Sequence, residues 1–83
     1  NNSIVVNKIA RTYAYIDNTQ QSAKILDQWL KNYPENIKIR LTLALLYQKE
    51  QLFEKARIHY EAIIALSPDH LSAVNNLALV YNK

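Results

Sequence analysis

The sequence predicts an all-α fold built from antiparallel helical hairpins that repeat along the chain. Residues of one type recur 34 positions apart, as the tyrosines Tyr13, Tyr47 and Tyr81 show. Apolar residues recur three or four positions apart, as on one face of a helix, and no segment keeps the alternation of a strand. A fixed period of this length indicates stacked copies of one helical unit rather than one irregular core.

Five helices are predicted, joined by short turns. Pro34 and Pro68 end the second and fourth helices, because the residue before a proline is driven out of the helical region. Asp17 to Thr19 separates the first two helices, since these side chains compete for backbone groups. Asp69 is expected to cap the fifth helix. The predicted helices cover about residues 3–16, 20–32, 35–50, 53–66 and 70–82.

The spacing of small and large residues within one period resembles that of the tetratricopeptide repeat. The family pattern L-G-x2-Y, A-x3-F and P is matched best by the second copy. Its matching residues are Leu43, Ala44, Tyr47, Ala56, Tyr60 and Pro68. The resemblance implies a single domain over residues 1–83, with repeats at about 3–36 and 37–70 and about two and a half repeats in all. A chain that stops within a helical pattern is expected to be part of a longer protein.

The last segment, residues 71–83, has two interpretations. As a capping helix it would present polar residues to solvent. As a truncated repeat it would leave apolar residues uncovered, and the protein would then self-associate. Those residues are Val74, Leu77, Ala78 and Tyr81. The tyrosines are predicted to pack between helices, and Trp29 is predicted to fill a gap against the next repeat.

Catalysis finds no support in the residue types or in their placement. The chain has no cysteine, which excludes disulfides, thiol catalysis and cysteine-bound metals, and no glycine, which excludes a glycine-rich phosphate loop. Its two histidines, His59 and His70, lie on different elements, with no nucleophile and orienting group to complete a site. We therefore predict a non-enzymatic protein without a cofactor or metal. No apolar run is long enough to span a membrane, and the compartment stays open between cytoplasm and bacterial periplasm.

The distribution of charge points to the first helix of each hairpin, which lines the concave face in the resembled family. These helices carry six cations against Glu50 alone, a net charge of +5, whereas the second helices carry +1. The six cations are Lys8, Arg11, Lys38, Arg40, Lys49 and Lys83. A basic concave face would attract an acidic peptide. Ordinary solvated charges explain the same distribution equally well.

The resemblance therefore implies a protein-interaction scaffold that binds a peptide or protein segment in its concave face. The places of the family's chaperone-tail clamp keep positive charge only at Arg11, so that ligand is not predicted. Two alternatives stay open: a self-assembly or spacer segment of a larger enzyme or secretion complex, and nucleic-acid binding through the basic face. The candidate concave residues are Asn7, Lys8, Arg11, Lys38, Leu41, Thr42, Leu45, Lys49, Asn75, Asn76 and Leu79.

Overall fold

A computed structural model describes residues 3–15 and 18–83 of the protein, with the backbone alone at residues 12–15. Within these residues the protein is all-helical, so the predicted all-α class with five helices is confirmed. The predicted end of the first helix at Ile16 lies outside the described residues. The helices are α1 (Ser3–Tyr15), α2 (Thr19–Asn32), α3 (Ile37–Lys49), α4 (Phe53–Leu66) and α5 (Leu71–Tyr81). No helix in the described ranges is long and apolar enough to cross a membrane.

Helices α3 and α5 begin after equivalent proline-containing turns. The N–H of Asn36 donates to the carbonyl of Tyr33 at 3.1 Å, and the N–H of His70 donates to the carbonyl of Ser67 at 3.0 Å. The same two residues cap the helices, because their side chains accept the backbone N–H three positions on, at 3.1 and 3.2 Å. The prediction that Asp69 caps α5 is wrong, since Asp69 lies inside the turn, one residue too early.

Helix α3 ends in a left-handed turn centred on Gln51, which has a φ of 62°. The N–H of Gln51 donates to the carbonyl of Gln48 at 3.0 Å, and the N–H of Leu52 donates to the carbonyl of Tyr47 at 2.8 Å. This pair of bonds defines a Schellman motif, whose left-handed residue is usually glycine. A chain without glycine therefore holds a residue with a Cβ in a conformation that disfavours it.

Two hydrophobic clusters meet on α3. Consecutive helices pack against each other, and α1 also contacts α3. The first cluster joins α1, α2 and α3 through Ala10, Leu26, Leu30, Ile39, Leu43 and Leu46. The second cluster joins α3, α4 and α5 through Ala44, Ala56, Tyr60, Ile63, Ala73 and Val80. Helix α3 is thus the only helix that contributes to both clusters of the described residues.

The aromatic residues divide into packed and exposed ones. Tyr60 is fully buried and Tyr47 is half-buried, which agrees with their predicted packing role. Trp29 packs against the first cluster and stacks on Tyr33, with ring centroids 4.6 Å apart. Tyr81 is 61% exposed, which contradicts its predicted packing role and agrees with the interpretation in which a truncated repeat leaves it uncovered. The side chain of Tyr13 lies outside the described residues.

Candidate partner-binding face

Five of the predicted concave residues lie along one side of α3, which we term the α3 face: Lys38, Leu41, Thr42, Leu45 and Lys49. Their spacing of three or four residues keeps them on the side opposite the buried Leu43. The two lysines are exposed at either end of the face, and Leu45 is 44% exposed between them. The α3 face therefore presents an apolar centre flanked by two ammonium groups.

Two residues of the α3 face, Leu41 and Thr42, are half-buried. Leu41 packs partly against the second hydrophobic cluster, so the apolar centre of the face is attached to the core. Thr42 donates its hydroxyl to the carbonyl of Lys38 at 3.1 Å, so the hydroxyl is satisfied within the helix. The face is consequently a surface of methyl groups and lysines, held by a helix that is packed on both sides.

Three of the predicted residues lie on α1, a helix that contacts α3. Lys8 and Arg11 are exposed. Asn7 is only 8% exposed, and its Oδ1 has no hydrogen-bond partner among the described residues. Asn7 thus belongs to the packed side of α1, where it carries an acceptor that the fold leaves unused.

The predicted residues of α5 are connected to α3 through the second cluster, to which α5 contributes two buried residues. Asn75 and Leu79 are exposed, and Asn76 is half-buried. The eleven candidate residues therefore lie on α1, α3 and α5. A continuous groove across all three helices stays a prediction.

Arg40 does not belong to the α3 face, although the charge count included it among the concave cations. Its side chain is half-buried, and Nη1 donates to Nδ1 of His59 on α4 at 3.1 Å. Nη2 donates to the carbonyl of Pro34 at 2.6 Å. The register carried a signal for this inward position, since Arg40 stands 34 residues from Val6 and from Val74. A long apolar stem can replace an aliphatic side chain there while its guanidinium finds polar partners.

The Arg40 contact fixes the protonation of His59. An arginine can only donate, so Nδ1 of His59 must accept and the ring is neutral, with its proton on Nε2. Burial, and secondly the positive charge of Arg40, lower the pKa of His59, while Asp27 acts weakly in the opposite direction. His59 is therefore a structural partner of Arg40 between α3 and α4.

A concavity that the sequence did not indicate lies between α2, the end of α3 and the start of α4. Its volume is about 440 Å³, in the range of small-molecule pockets. Tyr47 forms part of its wall, with Nζ of Lys55 5.5 Å from the centre of the Tyr47 ring. The charged lining residues are Lys24, Asp27, Glu50 and Lys55. Two cations face two anions there, so this cleft has no preference for a ligand of either charge.

No protein-family model matches this chain, and no significant match to it is found among curated proteins. The resemblance to tetratricopeptide repeats therefore depends on the residue pattern alone.

Proposed function

We propose that the protein is a non-catalytic scaffold of tetratricopeptide-like hairpins. It would bind an acidic, partly apolar segment of another protein along the first helix of each hairpin, that is, along α1, α3 and α5. The observation that carries the proposal is the α3 face, where Lys38 and Lys49 flank the apolar residues Leu41 and Leu45. An exposed leucine between two exposed cations is an arrangement that a core does not require.

The dimensions of the α3 face match an extended peptide. A rise of 1.5 Å per residue separates the Cα atoms of Lys38 and Lys49 by about 16 Å, and those of Leu41 and Leu45 by about 6 Å. In an extended segment, side chains on one side recur about every 7 Å. Two apolar side chains two residues apart would therefore contact the two leucines. Acidic residues on either side of them would lie within reach of the flexible lysines.

The two kinds of group would contribute differently to binding. Covering the exposed part of Leu45 removes apolar surface from water, which contributes on the order of 1 kcal/mol. The lysines are exposed at the rim, where ion pairs contribute less than about 1 kcal/mol each and mainly accelerate encounter and exclude basic partners. A single α3 face thus supports weak binding, and contacts on α1 and α5 would have to add to it.

Equivalent local structure supports the repeat arrangement in this proposal. The turns before α3 and α5 have the same hydrogen bonds and the same type of cap. Ala10 and Ala44, which stand 34 residues apart, are both fully buried and let neighbouring helices approach closely. Equivalent turns would give α3 and α5 similar orientations and would align these two helices along one face.

The proposal is tested with two double variants of equal charge. Lys38→Glu with Lys49→Glu alters the α3 face, and Lys24→Glu with Lys31→Glu alters α2. All four lysines are exposed, and each pair includes one lysine in the last turn of its helix. The probe is a fluorescein-labelled peptide with two apolar residues two positions apart, flanked by glutamates, and the readout is fluorescence anisotropy. We expect the α3 pair to weaken binding about 10-fold or more and the α2 pair to change it less than about 3-fold.

Two outcomes would contradict the proposal. Equal weakening by both pairs would indicate general attraction to a basic protein rather than binding at the α3 face. Tighter binding of a single-stranded RNA probe, with a steep decrease in affinity as salt rises, would instead favour the nucleic-acid alternative. A Leu45→Ala variant separates these cases further, since it should weaken peptide binding and leave RNA binding unchanged.

A further inference from the structure

Helix α5 carries a row of exposed apolar residues, which we term the α5 stripe: Leu71, Val74, Ala78 and Tyr81. At 100° per residue these positions fall on one side of the helix, away from the side on which Ala73 and Val80 are buried. Leu71 is 72% exposed, and Tyr81 is also mostly exposed. The α5 stripe is therefore a coherent apolar surface rather than scattered residues.

Helix α1, at the other end of the chain, carries a second such surface. We term it the α1 stripe: Ile4, Val5 and Ile9, of which Ile4 is 64% exposed. These residues lie on the side of α1 away from the fully buried Ala10. The two terminal helices thus each expose branched apolar side chains.

The central helix shows what normally covers such residues. Ile39 and Leu43 of α3, in register with Val5 and Ile9, are fully buried in the cluster that α2 shares. Ala44, in register with Ala78, is fully buried in the cluster that α4 shares. Both stripes therefore have residue types that pack against a neighbouring helix when one is present, and each lacks that neighbour among the described residues.

The charges beside the two stripes differ in sign. Helix α1 contains Lys8 and Arg11 and no acidic residue. The α5 stripe borders Glu61 of α4, whose Oε2 accepts the hydroxyl of Tyr81 at 2.7 Å and pairs with Nη1 of Arg57 at 3.1 Å. Arg57 also pairs with Glu54, so this group of two carboxylates and one guanidinium has a net charge of −1. Contact between two α5 stripes would bring two such negative groups together, whereas contact between an α5 stripe and an α1 stripe would bring a negative group to a helix that carries two cations. Charge complementarity thus favours the α1 stripe as the occupant.

We propose that the α5 stripe of one molecule binds the α1 stripe of a second copy, so that molecules associate head to tail. Such a contact is heterologous and leaves a free stripe at each end, so association does not close at a dimer. Each stripe contains few large apolar residues, which places the interface below the size of stable complexes and predicts weak, concentration-dependent association. The contact leaves the α3 face free, although Lys8 and Arg11 of α1 are candidates for both this contact and peptide binding.

The first part of the test measures mass against concentration. Sedimentation analysis from about 10 µM to about 1 mM covers the range expected of a weak contact. The variants are Val5→Glu in the α1 stripe, Val74→Glu in the α5 stripe, and Ile58→Glu as a matched control at an exposed apolar residue of α4. We expect the mean mass of the unaltered protein and of the control to rise above the 9.6 kDa of one chain, while both stripe variants stay at 9.6 kDa.

The second part mixes the two stripe variants. The Val5→Glu chain keeps an intact α5 stripe, and the Val74→Glu chain keeps an intact α1 stripe. An equimolar mixture should therefore form a complex of twice the 9.6 kDa chain mass and grow no further. Far-UV circular dichroism confirms that each variant is folded, which the exposure of all three substituted residues favours.

Three results would overturn the proposal. The first is an unaltered protein that remains at one chain mass over the whole concentration range, which would assign the stripes to another segment or another protein. Alternatively, Val74→Glu would abolish association while Val5→Glu left it intact, which would show an α5-to-α5 contact. Failure of the two variants to combine, although each is folded and the unaltered protein associates, would exclude head-to-tail pairing.

Discussion

Helices α3 and α5 have matching residues in register but opposite surroundings. Leu43 and Ala44 of α3 are fully buried, whereas Leu77 of α5 is half-buried and Ala78 is exposed. Helix α3 contributes to both hydrophobic clusters, and α5 contributes to one. Residues of the same type in register are therefore buried only where a neighbouring helix covers them.

The largest expected effect of this difference is on the free energy of unfolding. Leu43→Ala should lower it by about 2–5 kcal/mol, because the residue is fully buried and its removal leaves a cavity. Leu77→Ala, at the equivalent position, should lower it less, by about 1–2 kcal/mol, since that side chain is already partly exposed to water. Urea unfolding of both variants measures the difference. Equal losses would mean that α3 is no more central to stability than α5.

The tyrosines offer a second comparison of the same kind. Tyr60 is fully buried and donates its hydroxyl to Oε1 of Gln48 at 2.5 Å, whereas the hydroxyl of Tyr81 bonds Glu61 at the surface. Tyr60→Phe should cost about 1–1.5 kcal/mol of stability, because the Gln48 amide loses a partly buried partner. Tyr81→Phe should change stability by less than about 0.5 kcal/mol. Thermal unfolding of the two variants distinguishes these values. A larger loss of stability for Tyr81→Phe would mean that the Tyr81 hydroxyl, and not that of Tyr60, makes the more important hydrogen bond.

The same burial predicts sensitivity to alkali. Burial raises the pKa of Tyr60 to about 12, above the ordinary value of 10.0. The folded state therefore favours the neutral phenol, and its contribution to stability is present below pH 10 and is lost as the pH rises from 10 to 12. We expect a steeper decrease of stability over this window in the unaltered protein than in Tyr60→Phe. Parallel curves would show that Tyr60 ionises as freely in the folded state as in the unfolded one.

At the α3–α4 contact, His59 predicts a smaller effect at acidic pH. Its pKa in the folded protein lies below the ordinary 6.5, because burial and Arg40 disfavour the charged ring. The unfolded chain thus binds the proton first, and stability is lost as the pH falls below 6.5. His59→Gln, which can still accept the Arg40 hydrogen bond, should flatten the decrease between pH 7.5 and about 5. An unchanged slope in that variant would exclude His59 as its source.

A small gain in stability is predicted at the end of α3. Gln51→Gly should raise the free energy of unfolding by about 0.5–1 kcal/mol, because glycine adopts the positive φ of 62° without a Cβ clash. Gln51→Ala is the matched control and should change stability little, since alanine keeps the Cβ. Chemical denaturation of both variants tests this, and a loss on introducing glycine would show that the turn is not under strain.

The sequence was sufficient for those parts of the fold that local chemistry determines. Prolines, short turns and helical periodicity predicted all five helices, and the spacing of small and aromatic residues identified Tyr60 as core. The prediction of Asp69 as a cap was wrong, because the hydrogen bond that closes the turn at His70 determines where α5 begins. Residue type alone could not determine the position of the turn to one residue.

The candidate site was harder to predict, because it depends on neighbours distant in sequence. Arg40 was counted as a surface charge, although His59 and the Pro34 carbonyl draw it inward. Tyr81 was predicted to pack like Tyr47 and was also named among the residues that a truncated repeat would leave uncovered, and the arrangement of α4 and α5 leaves it exposed. Charge counts along a helix therefore overestimate the basic face until the partners of each side chain are known.

Hydrogen exchange followed at two protein concentrations tests the contrast between α3 and α5 most directly. At about 5 µM, we expect amides of α3 to exchange with free energies close to that of global unfolding, and amides of α5 to exchange much faster. At about 500 µM, α1 and α5 should gain protection while α3 stays unchanged, because their stripes then cover each other. Equal protection of α3 and α5 at the lower concentration, with no change at the higher one, would contradict the account.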